Sequence, residues 1–465
     1  MNERRLLTIA ILIGALLAAA PSIASGGASG SPSGGTLCGP FAASAAGTAV
    51  SAGPVEESGI SASGASDDYG SIVPLPARTA QAAATNSNDP SEAILALPKN
   101  EAGQIPDDFE LGPGTSIAES FFSPVICATV ARVSGPPGAS ITELVTVVPE
   151  GSAVVPNDVY ASAAAEITNA PPETTPDPYA SLQYGLAISG VREARGLSTG
   201  QGVTIALLDS APEVGHRDLS SANVIPVSDD EESPEVGVHG TLMAGVINAI
   251  EDNGFGIAGL APGATLVSIP ICRPTGAAGG QCTIYDLLRG LDQAWEAESS
   301  IVNLSLSGPP NILLERGVAR LEELGAVVVA AAGNEGTDER RYPAAYPSVI
   351  GVGAVDKAGT LFTGSNRGPW VELVAQGVDV LSTVPGNSFA FGNGTSLAAA
   401  HVSGLLAVLT TITEDPRLAR GELFRAVGAR GNQRIRTLPP ICDVFARMQR
   451  PCDGPNATMS ETAAP

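Results

Sequence analysis

Three histidines occur in 465 residues, and aromatic residues make up only 4% of the chain. So few imidazoles leave almost no choice of neutral-pH general base: His216, His239 or His401. The same scarcity, with no Cys-x-x-Cys pair present, argues against a zinc centre. Cationic residues are outnumbered two to one, 24 Lys and Arg against 48 Asp and Glu, for a net charge of -24. Such a chain is repelled by nucleic acid and by anionic membrane surfaces. No Gly-x-Gly-x-x-Gly follows a first strand, so a nucleotide-binding role is remote. Beyond the N-terminus no stretch reads as able to span a bilayer.

What is present begins with Arg4 and Arg5, an apolar run from Leu6 to Ala20 and a small-x-small site at Ser22-Ile23-Ala24. Residues 1–24 are therefore predicted to be an export signal, since the run falls short of the ~20 residues a spanning helix needs. Cys38 lies too far downstream for a lipid anchor. Export gives the six cysteines an oxidising compartment, and six allow fifteen pairings. Closeness in sequence favours Cys272–Cys282 and Cys442–Cys452, which leaves Cys38–Cys127. Residues 25–90 are rich in Gly, Ala, Ser and Pro and are predicted to be disordered. Residues 91–175 carry short apolar runs, Val125 to Val133 and Ile141 to Val148, with strand-like composition. They read as a small domain closed by the proline-rich linker NAPPETTPDPY, Asn169 to Tyr179.

From residue 176 to 436 the pattern changes. Apolar strand patterns at Val203–Leu208, Leu266–Ile271, Ile301–Leu306, Ala326–Ala332 and Val349–Val355 are interleaved with helix patterns. The helices are Thr241–Ile250, Tyr285–Glu298, Ile312–Leu324, Thr395–Leu409 and Arg417–Val427. Continuously apolar strands alternating with helices predict an α/β domain, a doubly wound, mostly parallel sheet with helices on both faces. Residues 437–465 form a tail that Cys442–Cys452 would staple.

In such a sheet function gathers at the carboxyl ends of the strands. Asp209 follows a strand directly, and Asn334 follows the AVVVAAA strand by one glycine. In GNGTSLAAAHVSGLLAVL, Ser396 opens a helix and His401 lies five residues on. On a helix those positions are turned apart by roughly 140°, so His401 reads as a packed core residue and not as the base for Ser396. At a helix start the dipole favours developing negative charge beside Ser396. His239, in VGVHGTLMAGV, sits at a helix entry, and His216, in EVGHRDL, reads as a structural turn residue.

The blocks TIALLDSAPEVGHRDL, VHGTLMAGV, VVAAAGNEG and GTSLAAAHVSG together resemble the signature blocks of the subtilisin-like serine peptidases, the subtilase family. They stand in the family's order, Asp, His, Asn, Ser. GIAGLAPGATL, VNLSLSGP and YPAAYPSVIGVGAV extend the resemblance over roughly Asp177 to Gly428. The resemblance implies a serine endopeptidase with Ser396 as nucleophile, His239 as base and then acid, and Asp209 as the group orienting the imidazole. It implies an oxyanion hole from the Asn334 amide and the Ser396 N–H. Leu304, Ser305, Leu306, Ser307 and Gly308 would run beside an extended protein or peptide substrate, and Ala331, Ala332 and Gly333 would wall its first pocket. Residues 91–175 become a propeptide, an intramolecular inhibitor and folding aid, with the maturation cut in or near Asn169–Tyr179. The product would be secreted or periplasmic, with no membrane anchor after signal removal. No cofactor is required for this chemistry. A structural calcium ion is the family's option, with Asp218 and the turn Glu251–Gly256 as oxygen donors. The competing reading is a catalytically inactive subtilase-like binding module, against which all four chemical residues are present.

Departures from the family pattern carry their own expectations. Ala211 stands where glycine is usual and would be strained if that position needs positive φ. Leu242 replaces a common second histidine that is not catalytic. Leu397 replaces a methionine and so cannot form a sulfoxide. Ala400 replaces a proline and should let its helix run regularly. Arg341 would narrow the first pocket or favour an acidic residue before the scissile bond.

Overall fold

A computed structural model describes residues 91–98, 109–149, 151–163, 165–169, 177–219, 223–227, 234–275, 279–428 and 437–452. The predicted export signal, the segment 25–90, Cys38 with its expected bond to Cys127, and most of the proline-rich linker lie outside these residues.

The N-terminal region begins with β1 (Glu92–Pro98), β2 (Glu110–Leu111), β3 (Ser116–Ser123), β4 (Ala128–Ser134), α1 (Ile141–Leu144), β5 (Val145–Val147) and β6 (Ala153–Pro156). Four of the strands form an antiparallel sheet in the order β3-β4-β1-β6. The composition of Ile141–Val148 suggests a strand throughout, but its first half is helical. Ser140 N–H donates to the Glu143 carboxylate at 2.7 Å, and this capping contact closes a turn before extended structure resumes. β1 is apolar on both faces because both are covered. Ala93, Leu95 and Leu97 join a small local core with Ile141 and Leu144. Ile94 and Ala96 join the same core as Leu288 and Leu291 of the larger domain. Successive side chains of a strand point to opposite faces, so one strand binds both layers.

Two further strands follow, β7 (Val159–Ala163) and β8 (Ala165–Asn169). The larger domain then contains α2 (Tyr184–Ser189), β9 (Thr204–Asp209), β10 (Val224–Pro226), α3 (Val238–Asn248), β11 (Thr265–Pro270), β12 (Cys272–Thr275), β13 (Gly279–Thr283) and α4 (Ile284–Glu296). It continues with β14 (Ile301–Leu304), α5 (Ile312–Glu323), β15 (Val327–Ala331), β16 (Val349–Val355), β17 (Leu373–Gln376), β18 (Val380–Val384), β19 (Ser388–Asn393), α6 (Thr395–Thr413), α7 (Pro416–Gly428) and α8 (Ile441–Arg447). Seven strands form one sheet, β10-β11-β9-β14-β15-β16-β17, and every pairing in it is parallel. β9 shows how the layers assemble. Ile205 and Leu207 pack with α3 and α6 residues, while Ala206 and Leu208 pack with α4 and α5 residues. The winding reverses at β9, between β11 and β14, so the crevice at its carboxyl end is where a doubly wound sheet binds ligands.

α6 runs unbroken through Ala400 for 19 residues. By length and composition alone it could cross a membrane, contrary to the sequence expectation, but 89% of its apolar window is buried inside the protein. It is the core helix of this domain. The disulfides Cys272–Cys282 and Cys442–Cys452 are both formed. Ile441, Val444 and Phe445 of α8 belong to the α3–α6 core, so the described part of the tail is packed.

Candidate active site

β9 ends on Asp209, which is 1% exposed. Ser210 donates to Asp209 Oδ1 from its N–H at 2.7 Å and from its hydroxyl at 3.2 Å. The first turn of α3 lies directly against this carboxylate. Gly240 makes that approach possible, since a Cβ there would stand 1.9 Å from the Ser210 carbonyl oxygen. His239 is thereby held with Nδ1 2.8 Å from both Oδ1 and Oδ2 of Asp209. The Nδ1–H donates to the carboxylate, so the neutral ring carries its lone pair on Nε2. Nε2 is buried and has no hydrogen-bond partner among the described residues.

Ser396 is the second residue of α6 and is 2% exposed. Its Oγ donates to the Ser305 carbonyl at 3.1 Å, not to His239. In return Ser305 Oγ donates to the Ser396 carbonyl at 3.0 Å. This contact belongs to a buried relay: Ser403 Oγ donates to Asn303 Oδ1 at 2.9 Å, and Asn303 Nδ2 donates to Ser305 Oγ at 2.9 Å. The relay ties α6 to β14 beneath the serine. Asn303 and Ser403 escaped the sequence reading, although each is a polar residue in an otherwise apolar element. Asn334, past the end of β15, accepts at Oδ1 from the Thr395 N–H at 2.9 Å and the Thr395 hydroxyl at 3.0 Å. The carbonyl end of its amide is thus fixed toward α6. Thr395 Oγ1 also accepts from Gly333 N–H at 3.1 Å, a second positioning contact that the sequence did not suggest.

The segment after β14 lines a cleft that the chain itself enters. β7 pairs antiparallel with β13, and on its other side Ala161 and Ser307 exchange both backbone hydrogen bonds at 3.0 Å. Antiparallel register advances the two chains oppositely, so Ala163 stands opposite Ser305, whose carbonyl holds the Ser396 hydroxyl. β8 then pairs antiparallel with β19, with Ala165 opposite Asn393, three residues before Ser396.

The site's parts are an Asp-bound imidazole on α3, a serine at the start of α6, which packs on α3 and β14, and the segment after β14; comparison with known proteins is consistent with them. The model of the subtilase family matches residues 200–426. The chain is 36% identical over 238 residues to the thermophilic serine proteinase of Bacillus sp. (strain AK1), covering 50% of this chain and 58% of that protein. It is 36% identical over 241 residues to the major intracellular serine protease of Bacillus subtilis (strain 168), covering 48% of this chain and 74% of the relative. Against subtilisin BL of Lederbergia lenta the identity is 38% over 217 residues, covering 46% of this chain and 78% of the relative.

The chain belongs to the subtilase family. It is a subtilisin-like serine endopeptidase by class, with the α/β fold of that family.

Other residues singled out in this subtilase fall into place around the crevice. His401 is 3% exposed, and its Nδ1–H donates to the Leu397 carbonyl one turn back at 2.9 Å. Burial pushes its pKa down to about 4, so it is a neutral core residue. His216 is also buried: its ring accepts at Nδ1 from Asp218 N–H and donates from Nε2 to the Ser388 carbonyl. Ala211 is not among the residues with positive φ, so the strain that glycine would relieve is not present there. Its carbonyl accepts from Gly237 N–H instead. Gly333 does have positive φ, and a Cβ on it would lie 3.3 Å from the Arg341 side chain. Arg341 therefore borders the Ala331–Gly333 wall, but its guanidinium is paired with Glu335 and Glu339. Those carboxylates offset its charge, which weakens the case for an acidic residue in the first pocket.

The expected calcium donors are arranged differently from a cation site. Asp218 is fully buried and uses both oxygens, accepting from Asn253 Nδ2 at 2.8 Å and from Ile257 N–H at 2.7 Å. Asn253 Oδ1 accepts from Phe255 N–H. Burial pushes the Asp218 carboxyl up to about 7. Each Asp218 oxygen accepts one of these N–H donors and keeps a second lone pair. Among the described residues no group of three or more His, Cys, Asp or Glu is placed to hold a metal.

Proposed function

We propose that this subtilase is made as an exported zymogen, and that the first bond it cuts is its own, between Ala163 and Ala164. One observation carries the reading. The Ala161–Ser307 pair sets a register in which the residue opposite Ser305 is Ala163, and Ser305 is the residue that Ser396 touches. β8 resumes at Ala165 beside Asn393, so the strands on either side of this bond flank the nucleophile. The bond lies upstream of the Asn169–Tyr179 linker to which the sequence pointed.

The chemistry follows from the groups in the crevice. A rotation of Ser396 about χ1 moves Oγ from the Ser305 carbonyl to Nε2 of His239. The hydroxyl then attacks the Ala163 carbonyl as Nε2 takes its proton. Asp209, bonded to Nδ1, holds the tautomer and stabilises the imidazolium. Charge developing on the carbonyl oxygen meets the Ser396 N–H at the start of α6 and the Asn334 amide. Imidazolium returns its proton to the Ala164 amine as the C–N bond breaks. Water, activated by the same histidine, releases the acyl group. Until the N-terminal product leaves, β7 fills the cleft and blocks other substrates. A cleft emptied of β7 would pair with any extended peptide by the same β-addition.

Sequencing the N-terminus of the product tests this. Wild type should yield a mature chain beginning at Ala164, and Ser396→Ala should keep residues 159–169 intact. A mature N-terminus elsewhere, or cutting by Ser396→Ala, would sink the proposal. A fluorophosphonate probe that labels mature wild type but not Ser396→Ala excludes a catalytically inactive binding module. Sequencing the uncut Ser396→Ala chain from the medium tests export at residues 1–24. The two formed disulfides favour an oxidising compartment.

A further inference from the structure

Polar side chains in a buried layer are costly unless they find partners. Asn303 of β14 and Ser403 of α6 are both fully buried, as is Ser305 just past β14. Seven residues separate Ser396 from Ser403 along α6. At ~3.6 residues per turn that is about two turns, so both serines lie on one face of the helix, roughly 10 Å apart along its axis. Asn303 and Ser305 are two residues apart, and the hydrogen bond between their side chains shows that they share a face. The two faces meet, and the bonds between them run in one direction. Ser403 Oγ donates to Asn303 Oδ1, Asn303 Nδ2 to Ser305 Oγ, and Ser305 Oγ to the Ser396 carbonyl. A hydroxyl has one proton to give. Ser305 gives its proton to the Ser396 carbonyl because its own oxygen already faces the Asn303 N–H. Turned over, that amide would present Oδ1 to Ser305 and draw the proton away from Ser396. Ser403, by donating to Oδ1, holds the amide as it stands.

We propose that Ser403 is a positioning residue for catalysis, setting Ser396 in place through Asn303 and Ser305. The inference goes beyond the residues assigned to the chemistry above and rests on Ser396 as the nucleophile. The Ser305–Ser396 contact is reciprocal. One bond holds the Ser396 backbone by its carbonyl, and the other holds Oγ against the Ser305 carbonyl. If the Ser305 hydroxyl turned away, both would shift together. The first N–H groups of a helix have no partner within it, and this first turn must present both the Oγ and the N–H of Ser396 to the reacting carbonyl. A small misplacement of a reacting group slows the chemical step while remote binding contacts stay intact. Loss of the Ser403 hydroxyl should therefore appear in kcat and not in KM.

The test compares mature enzymes on a fluorogenic peptide amide, with active sites counted by fluorophosphonate labelling so that misfolded chains do not enter kcat. Ser403→Ala should lower kcat about tenfold and leave KM within about twofold. Ser403→Thr and Ser403→Val have nearly the same shape and differ in the hydroxyl, so the Thr variant should keep at least about fivefold more kcat than the Val variant. Ser305→Ala removes the last side-chain link but keeps the Ser305 carbonyl. In that background Ser403→Ala should cost less than about twofold further, because its route to Ser396 is already cut. His401→Asn disturbs the same helix outside the relay, and should lower stability while kcat stays within about twofold of wild type. Unchanged kcat in Ser403→Ala, equal kcat for the Thr and Val variants, or a Ser403→Ala loss that persists undiminished without the Ser305 hydroxyl would each overturn the inference. Peptide cleavage by Ser396→Ala would instead overturn the nucleophile assignment on which it rests.

Discussion

His401, buried in the α3–α6 layer, should make the stability of the fold depend on pH. His401 is neutral in the fold because burial holds its pKa at about 4, against 6.5 when solvated. In the unfolded chain the imidazole protonates near that ordinary value, so acid draws the equilibrium toward unfolding. A depressed pKa of this kind contributes its full stability above pH 6.5 and loses it as pH falls through 4. At ~1.36 kcal/mol per pKa unit, the contribution is about 3 kcal/mol. His401→Asn removes the titration and leaves an N–H donor that can reach the Leu397 carbonyl one turn back. Guanidinium unfolding of both chains, in a Ser396→Ala background to prevent self-digestion, gives the comparison at pH 7.5, 6, 5 and 4. Near neutrality the variant should be less stable by about 2 kcal/mol, because a smaller side chain leaves space against Gly185. As pH falls the gap should close, and by pH 4 the variant should match or exceed the parent. Asp218 and Asp292, whose carboxyls burial pushes up to about 7, titrate in both chains and cancel in the difference. Parallel stability curves across this range would refute the assignment of His401 as a neutral core residue.

His239→Ala should abolish hydrolysis of a fluorogenic peptide substrate by the mature enzyme. Asn334→Ala should lower kcat about 10²–10³-fold with little change in KM, as loss of one oxyanion donor does; a loss confined to KM would reassign that amide to substrate binding. Activity should survive mild peroxide that inactivates methionine-bearing relatives, because Leu397 is fully buried beside the serine and has no sulfur; rapid inactivation would contradict this. Asp292 of α4 accepts from Ser123 Oγ at 2.9 Å and Val125 N–H at 3.1 Å, joining the N-terminal sheet to the larger domain. Asp292→Ala strands a buried N–H at a cost of about 1–3 kcal/mol. Amides of β3 and β4 should then exchange faster with deuterium while those of β14 and β15 do not; uniform protection would argue against the joint.

The parallel sheet was legible because its strands are buried on both faces and read as unbroken apolar runs. VTIALL, AVVVAAA and VIGVGAV each became strands within a residue or two of their expected ends. The first turn of α3 was harder to read. His239 enters the helix earlier than the apolar run suggests, because Gly237 and Gly240 allow backbone contact and contribute no hydrophobic signal. β17, a four-residue strand at the edge of the parallel sheet, was missed, as were β18, β19 and most of the N-terminal strands. Short strands on antiparallel sheets carry mixed composition, and Ile141–Leu144 is helical for a local reason, its cap, that outweighs β-branched content. Asp209, His239 and Ser396 were legible as separate residues in a known order, but the Asp209–His239 contact depends on how α3 packs against the end of β9. Asn303 and Ser403 show the limit most plainly. Each looks like a blemish in an apolar element, and only their meeting beneath Ser305 turns both into positioning residues.

The cleft segment was invisible in the sequence for the opposite reason. A strand that adds to two existing edges is recognised by its backbone, which every residue supplies. β7 therefore has little pattern to find, although it pairs with β13 on one side and with Ser307 on the other. Specificity must then reside in the few positions that project into built pockets. In this chain Tyr160 of β7 donates to the Pro309 carbonyl, and Asp158, which precedes the strand, accepts from Asn311 Nδ2. Under the proposed zymogen reading, a segment that binds before the cut and leaves afterwards benefits from this division. On that reading the backbone ladder gives affinity to any extended chain, while Tyr160 and Asp158 fix the register of this one against Ser307.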